Sequence, residues 1–323
     1  MTTHPLKNWL PYQLSYQEKD GWKCAWMNLE NIRITAPFFE QTISACNVKR
    51  KEKHRVASCS SADFLTDIAE EIPHLKPNAF IFHVSRCGST LITQAFSEEE
   101  QNIVISEAPL LDEILRAEEK DLKITLTQKE QWFKAAVNLM GQFRNANESA
   151  FIIKLDSWHL HFYEPLRTWF PDTPFFFLSR KPDEVLASHK KKAGLHSIPG
   201  MINKTLLQID PSEEYGGDFT RYTADVLQGY FQRMLDIQTA QHPKNAFADY
   251  ADGPSEMISA FASFTGIEIK NQEAINTRLN YHSKAGTEPF QKEMPINSGD
   301  QYEQCDKAYE NFRKIYSTKT IGQ

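Results

Sequence analysis

At 323 residues, with 41% hydrophobic and 24% charged side chains, the chain is long enough to bury one large core and is neither disordered nor fibrous in composition. Its formal charge of -6 gives no global pull toward nucleic acid or an anionic membrane, so any bound anion has to be held by local cations. No apolar run approaches a membrane span, Met1 to Leu10 lacks the basic-then-apolar pattern of a leader, and Cys24, Cys46, Cys59, Cys87 and Cys305 show no CxxC spacing, which together predict a cytoplasmic protein with reduced thiols and no structural zinc.

In chain order, residues 1–76 stand apart. Trp9, Trp22 and Trp26 crowd there, followed by the basic stretch Lys49 to Arg55 and the Ser-rich Ser58 to Ala62, so this part is expected to be an appendage packed on a core of residues 77–323. From Asn78 short apolar runs alternate with amphipathic stretches, as strands alternate with helices in a mostly parallel α/β sheet. Strands are predicted at Ala79 to Val84, Ile103 to Ile105, Phe151 to Leu155, Phe175 to Ser179 and Ala246 to Tyr250. Helices are predicted at Ser89 to Ser97, Gln128 to Arg144, Leu160 to Phe170, Pro182 to Ala193, Thr220 to Ala240 and Ser255 to Phe264. The Gly/Pro-containing stretch 194–219 reads as a lid or substrate loop. After Tyr281 the polar composition, with Gly286, Pro289, Pro295 and Gly299, predicts a loop leading to a last helix near Tyr302 to Tyr316.

The apolar run Phe80-Ile81-Phe82-His83-Val84 stops abruptly at Ser85-Arg86-Cys87-Gly88-Ser89-Thr90, after which Leu91 to Phe96 continue as helix. A turn of this kind aims backbone N–H groups and the positive helix end at one point. Gly88 allows close backbone approach, Ser89 and Thr90 add hydroxyl donors, and Arg86 adds a permanently charged fork. The nucleoside-triphosphate loop G-x-x-x-x-G-K-[ST] needs an earlier glycine and a lysine after the second one, and both are missing here, which disfavours ATP or GTP.

Arg86-Cys87-Gly88-Ser89-Thr90 resembles the 5′-phosphosulfate loop of sulfotransferases, in the form seen in bacterial and tyrosylprotein-type members. The family's second signature, a strand ending in Arg with a Ser eight residues on, is matched by Arg180 and Ser188. Phe247 to Asp252 resembles a later strand element that sets Tyr250 beside the nucleotide, and Tyr281 to Gly286 a Ser-Lys loop with Ser283 and Lys284 over the phosphates. The resemblance implies a three-layer α/β/α fold of the P-loop nucleoside-triphosphate-hydrolase type with a central, mostly parallel sheet. It also implies transfer of a sulfonyl group from 3′-phosphoadenosine 5′-phosphosulfate to a hydroxyl or amine, without metal. On this reading Arg86, Cys87, Gly88, Ser89 and Thr90 meet the 5′-phosphosulfate end, and Arg180 and Ser188 the 3′-phosphate.

Such a transfer needs a base for the acceptor's proton and a cation for the leaving oxygen, the latter being Arg86. Glu107, Asp156 and His159 are candidates for the base. The tyrosylprotein-type relatives carry a glutamate just after the second strand, which favours Glu107. Lys154 is then a second cation, and Asp156 stands where the cytosolic enzymes have histidine. Glu107 and Asp156 are also placed to cap helices. His159 and His161 form an H-x-H pair without further ligands in sequence, and no metal is expected. The acceptor, a small molecule or a peptide, and the oligomeric state, a homo-oligomer included, stay open. Competing readings are a P-loop kinase or other phosphotransferase and a non-catalytic nucleotide-binding relative.

Overall fold

The computed structural model of the chain describes residues 4–279, 281–282, 285–289 and 302–320. Its elements run β1 (Trp9–Gln17), β2 (Gly21–Asn28), α1 (Phe39–Glu52), β3 (Ser58–Ser61), α2 (Phe64–Ile68), β4 (Ala79–His83), α3 (Ser89–Ser97), β5 (Asn102–Ser106) and α4 (Pro109–Leu115). They continue with α5 (Leu126–Met140), β6 (Ala150–Lys154), α6 (Tyr163–Trp169), β7 (Phe175–Ser179), α7 (Pro182–Lys191), α8 (Phe219–Thr239) and β8 (Asn245–Asp249). The last are α9 (Pro254–Thr265), α10 (Gln272–Leu279), β9 (Tyr281–His282), β10 (Ala285–Pro289) and α11 (Glu303–Thr320). The class is α/β: a five-stranded sheet is ordered β5-β6-β4-β7-β8, and both β5 with β6 and β7 with β8 pair in parallel. No described helix is long and apolar enough to cross a membrane.

The five strands foreseen between Asn78 and Tyr250 are all present to within a residue at each end. Their inner residues are all buried in β4, β5, β6 and β7, which is why their sequences are continuous apolar runs and easy to recognise. Helix ends moved for local reasons. The predicted helix at Gln128 to Arg144 is α5, which starts two residues earlier because Thr125 and Gln128 close a capping box, and stops at Gly141. The predicted helix at Leu160 to Phe170 begins instead as a 3-10 turn over Ser157–Phe162 and becomes α-helical at Tyr163. The loop expected after Tyr281 contains the short antiparallel pair β9 and β10.

The chain divides into two compact units. The first comprises Met1–Phe80, Thr93–Leu155 and Ile267–Leu279. In it β1, β2 and β3 form an antiparallel sheet, and α4 and α5 pack on β1. Trp22 meets Trp132 edge to face at 5.8 Å and donates its indole N–H to Asp121, while Trp132 donates to Asp63. Gln142, fully buried, accepts from Asn8 N–H and donates to the Trp9 carbonyl at 2.8 Å each, which fixes the start of β1 against the end of α5. The second unit comprises Ile81–Ile92, Asp156–Gly266 and Asn280–Gln323. Its core is an aromatic row across the strands. Phe177 stacks on Phe82 and on Phe247 at 4.9 Å, and Phe247 continues to Phe312 of α11. Burial of rings of this size contributes about 2–3 kcal/mol each.

Candidate active site

In the second unit β4 ends at His83, and the chain then enters the left-handed region three times in four residues, at Ser85 (φ 74°), Arg86 (φ 51°) and Gly88 (φ 84°). For the two non-glycine residues this costs about 1–3 kcal/mol each, so neighbouring contacts have to hold the turn. They do. The N–H of Ser85 donates to Nδ1 of His83 at 3.0 Å, and the Arg86 carbonyl accepts from Nη1 of Arg180 at 2.8 Å. Gly88 then opens α3, its carbonyl accepting from Leu91 and Ile92. A helix start of this kind turns its first N–H groups and its positive dipole end toward one point, which is the physical basis of an anion cradle.

Gly88 also meets a close approach. A Cβ there would lie 2.9 Å from Cε of Met257 and 3.0 Å from the ring of Tyr250. Cys87, by contrast, is fully buried, and burial pushes its thiol up to about 12 against the opposing backbone hydrogen bonds from Ser89 and Val84. Ser89 and Thr90 are buried at the start of α3.

Arg180, with Ser188 eight residues on, arrives by strand pairing. β7 and β8 are parallel with Ser179 opposite Asp249, so Arg180 and Tyr250 leave neighbouring strand ends side by side. The guanidinium of Arg180 lies over the Tyr250 ring, 4.3 Å from its centroid. Its Nε is held by Glu184 at 2.7 Å. Ser179 donates to the Asp249 carboxylate, which also accepts from Tyr309 at 3.2 Å, so the strand ends beneath Arg180 are locked. Pro182 starts α7, with Asp183 and Glu184 in its first turn and His189, Lys190 and Lys191 in its last, the distribution the helix dipole favours. Glu184, Ser188 and Lys192 follow at intervals of four and share one stripe. The head of the stripe holds Arg180, and its end accepts at the Lys192 carbonyl from Nη2 of Arg86 at 2.6 Å. Ser188, buried, stands between.

Asp156 and His159 also belong to this unit. The Asp156 N–H donates to Nδ1 of His159 at 3.2 Å, and its carboxylate is 4.0 Å from Nε2 of that residue. His159 is buried against Trp158 and Phe162. Asp156 thus sits at the start of the 3-10 turn Ser157–Phe162, the capping role weighed for it from sequence.

In the first unit β5 and β6 pair in parallel with Ser106 opposite Lys154. Glu107, the next residue, donates its N–H to the Lys154 carbonyl at 2.8 Å and adopts φ 52°. Its Oε1 lies 2.8 Å from Nζ of Lys154, whose side chain is fully buried and also faces the ring of Phe38 at 5.1 Å. The capping role weighed for Glu107 is not taken up: α4 begins with Ala108 at its N-cap and Pro109 after it.

Ser283 and Lys284 lie outside the described residues. Sequence reasoning missed His83, Ser85, Glu184, His189 and Met257 around the loop. The only local signal was adjacency, His189 following Ser188 and Ser85 preceding Arg86.

No protein-family model matches the chain. No curated protein sequence matches it. Among solved structures it is similar to sulfotransferase STF9 of Mycobacterium avium, at 12% identity over 80% of this chain and 80% of that one, with a TM-score of 0.47. It is also similar to sulfotransferase STF1 of Mycobacterium tuberculosis, at 12% identity over 78% of this chain and 80% of that one, with a TM-score of 0.46. Mouse sulfotransferase SULT7A1, solved with PAP, is similar at 11% identity over 80% of this chain and 90% of that one, with a TM-score of 0.37. Each of these three solved structures is a sulfotransferase.

Proposed function

We propose that this chain is a sulfotransferase that moves the sulfonyl group of 3′-phosphoadenosine 5′-phosphosulfate to a hydroxyl or amine of a small molecule or peptide. The observation that carries the reading is the meeting of two anion motifs: Arg180 donates to the Arg86 carbonyl and lies on Tyr250, whose ring covers Gly88. The motifs are far apart in sequence and share no local reason to converge. A donor with phosphates on two sides of one ribose requires two such clusters at neighbouring strand ends.

The left-handed Gly88 and the start of α3 directly after it suit a phosphate oxygen. Gly88, Ser89 and Thr90 would hold the 5′-phosphate, and Arg180 and Ser188 the 3′-phosphate. The donor supplies an activated sulfonyl group, whose bond to the 5′-phosphate oxygen breaks as the acceptor's oxygen or nitrogen bonds to sulfur. Arg86 offsets the charge that grows on the leaving oxygen. The family resemblance gives the acceptor's proton to Glu107, whose carboxylate is oriented by Lys154 at 2.8 Å. Asp156, engaged with His159, is the weaker candidate for that proton.

Titration calorimetry with adenosine 3′,5′-bisphosphate in metal-free buffer, and in parallel with Mg-ATP, tests the reading. Bisphosphate binding at about micromolar Kd without metal is expected, equivalent to roughly -8 kcal/mol. Binding of ATP that requires magnesium, with no bisphosphate binding, would instead make the chain a phosphotransferase. Binding of neither would make it a relative without this chemistry.

A further inference from the structure

We propose that His189 is a positioning residue that ties the first turn of the anion loop to the start of the 194–219 segment, so that an anion in the loop and order in that segment reinforce each other. The assignment rests on hydrogen-bond bookkeeping at one buried ring. The N–H of Gly194 can only donate, and it reaches Nδ1 of His189 at 3.1 Å. Ser197 Oγ lies 3.3 Å from the same nitrogen, but its proton goes to the Gly194 carbonyl at 2.7 Å. Nδ1 is therefore an acceptor, and a neutral imidazole carries its proton on Nε2. That nitrogen is 3.2 Å from Oγ of Ser85, the first left-handed residue of the loop.

One ring thus holds Ser85 at one edge and Gly194 at the other. Gly194 has little freedom to move away: a Cβ on it would meet Cε1 of His189 at 3.0 Å and Cε1 of His196 at 3.1 Å. The two imidazoles meet edge to face at 4.8 Å, and His196 is tied in turn to Ser157 Oγ at 3.2 Å. All of Ser85, His189, His196, Ser197 and Ser157 are buried, so the network is shielded from competing water. A loop that tightens on an anion fixes Ser85; a fixed Ser85 fixes the ring; the ring fixes Gly194. By linkage the reverse holds as well.

Only the ligand arm of the test rests on the donor-site reading above. In the ligand-free protein, hydrogen exchange of Gly194 to Ser197 is expected to be about tenfold faster in Ser85→Ala than in wild type, with α8 unchanged. His189→Phe, which keeps a ring of similar bulk but has neither a donor for Ser85 nor an acceptor for Gly194, should show the same acceleration. Long-range proton–nitrogen NMR on the wild-type ring should find the proton on Nε2. Unchanged exchange in Ser85→Ala, or a proton on Nδ1, overturns the proposal without involving any variant of doubtful folding. In the ligand arm, adenosine 3′,5′-bisphosphate should slow exchange of Gly194 to Ser197 in wild type and fail to do so in Ser85→Ala; equal slowing in both refutes the coupling. If the bisphosphate does not bind at all, the donor reading fails while the Ser85→Ala comparison still decides the role of His189.

Discussion

Lys154, fully buried, sets its ammonium 2.8 Å from Oε1 of Glu107, and both residues reach that position because Ser106 and Lys154 are opposite each other in a parallel pair. The two partners are unequal, since Glu107 keeps 23% of its side chain exposed. Glu107→Ala therefore takes the carboxylate partner from a buried charge and is expected to cost more, by about 1–3 kcal/mol, than Lys154→Met, which leaves a carboxylate that can reach water. Urea unfolding of the two variants checks the order; the reverse order would mean that Lys154 is not held by Glu107.

In the proposed reaction Glu107→Gln separates binding from turnover. Affinity for adenosine 3′,5′-bisphosphate should stay within about threefold of wild type while kcat falls by about 10²-fold or more, the usual share of a general base. Single-turnover assays with a labelled donor measure the second quantity. Retained turnover would remove Glu107 from the chemistry.

Arg180→Ala removes a charged hydrogen-bond donor, an interaction of about 1.5–3 kcal/mol. Binding of adenosine 3′,5′-bisphosphate should weaken by roughly 10- to 150-fold, and binding of 5′-AMP by much less. Parallel titrations decide it, since equal losses would show that Arg180 does not read the 3′-phosphate.

Gly88→Ala introduces a Cβ 2.9 Å from Met257 Cε and 3.0 Å from Tyr250 at a residue with φ 84°. Methionine can yield, but the left-handed backbone cannot become comfortable for alanine, so a stability loss of about 1–3 kcal/mol is expected. Loss of bisphosphate affinity should accompany it. Adding Met257→Ala relieves the first clash only, and should restore part of the stability without restoring the affinity.

Glu113 offers a pH test away from the loop. It accepts from the N–H of Leu14, and burial pushes its carboxyl up to about 7 from the ordinary 4.5. The fold thus favours its protonated form. Its contribution is fully present below about pH 4.5 and is lost as the pH rises through about 7. Glu113→Gln should flatten stability across that window and be more stable than wild type at pH 8, by up to about 3 kcal/mol. Denaturant midpoints between pH 4.5 and 8 measure it.

What could be read from the chain was what is written locally. Arg86 to Thr90 is a contiguous turn, and Arg180 with Ser188 is a strand end plus two helical turns, so both were legible. Tyr250 was only suggested, and became meaningful once Ser179 and Asp249 paired. The Lys154–Glu107 pair joins residues singled out for separate roles, and only strand register brings them together. His189 and Ser85 are 104 positions apart, and no pattern along the chain announces their bond. The N-terminal sheet was hidden for another reason. The register of β1 shifts between Pro11 and Gln13, which breaks the period-two alternation by which a strand is recognised.

Arg180 and Tyr250 are each the first residue beyond a strand, and adjacent strands are separated by a fixed spacing of about 4.8 Å. Their stacking is therefore set by the backbone of the sheet and does not wait for a mobile loop to find its shape. A ligand docking there encounters groups that have already surrendered their conformational entropy, so less of its affinity is consumed in ordering the protein. In the proposed reaction this means that the nucleotide would meet groups preorganised on strand ends, and the acceptor would be met by other parts of the chain.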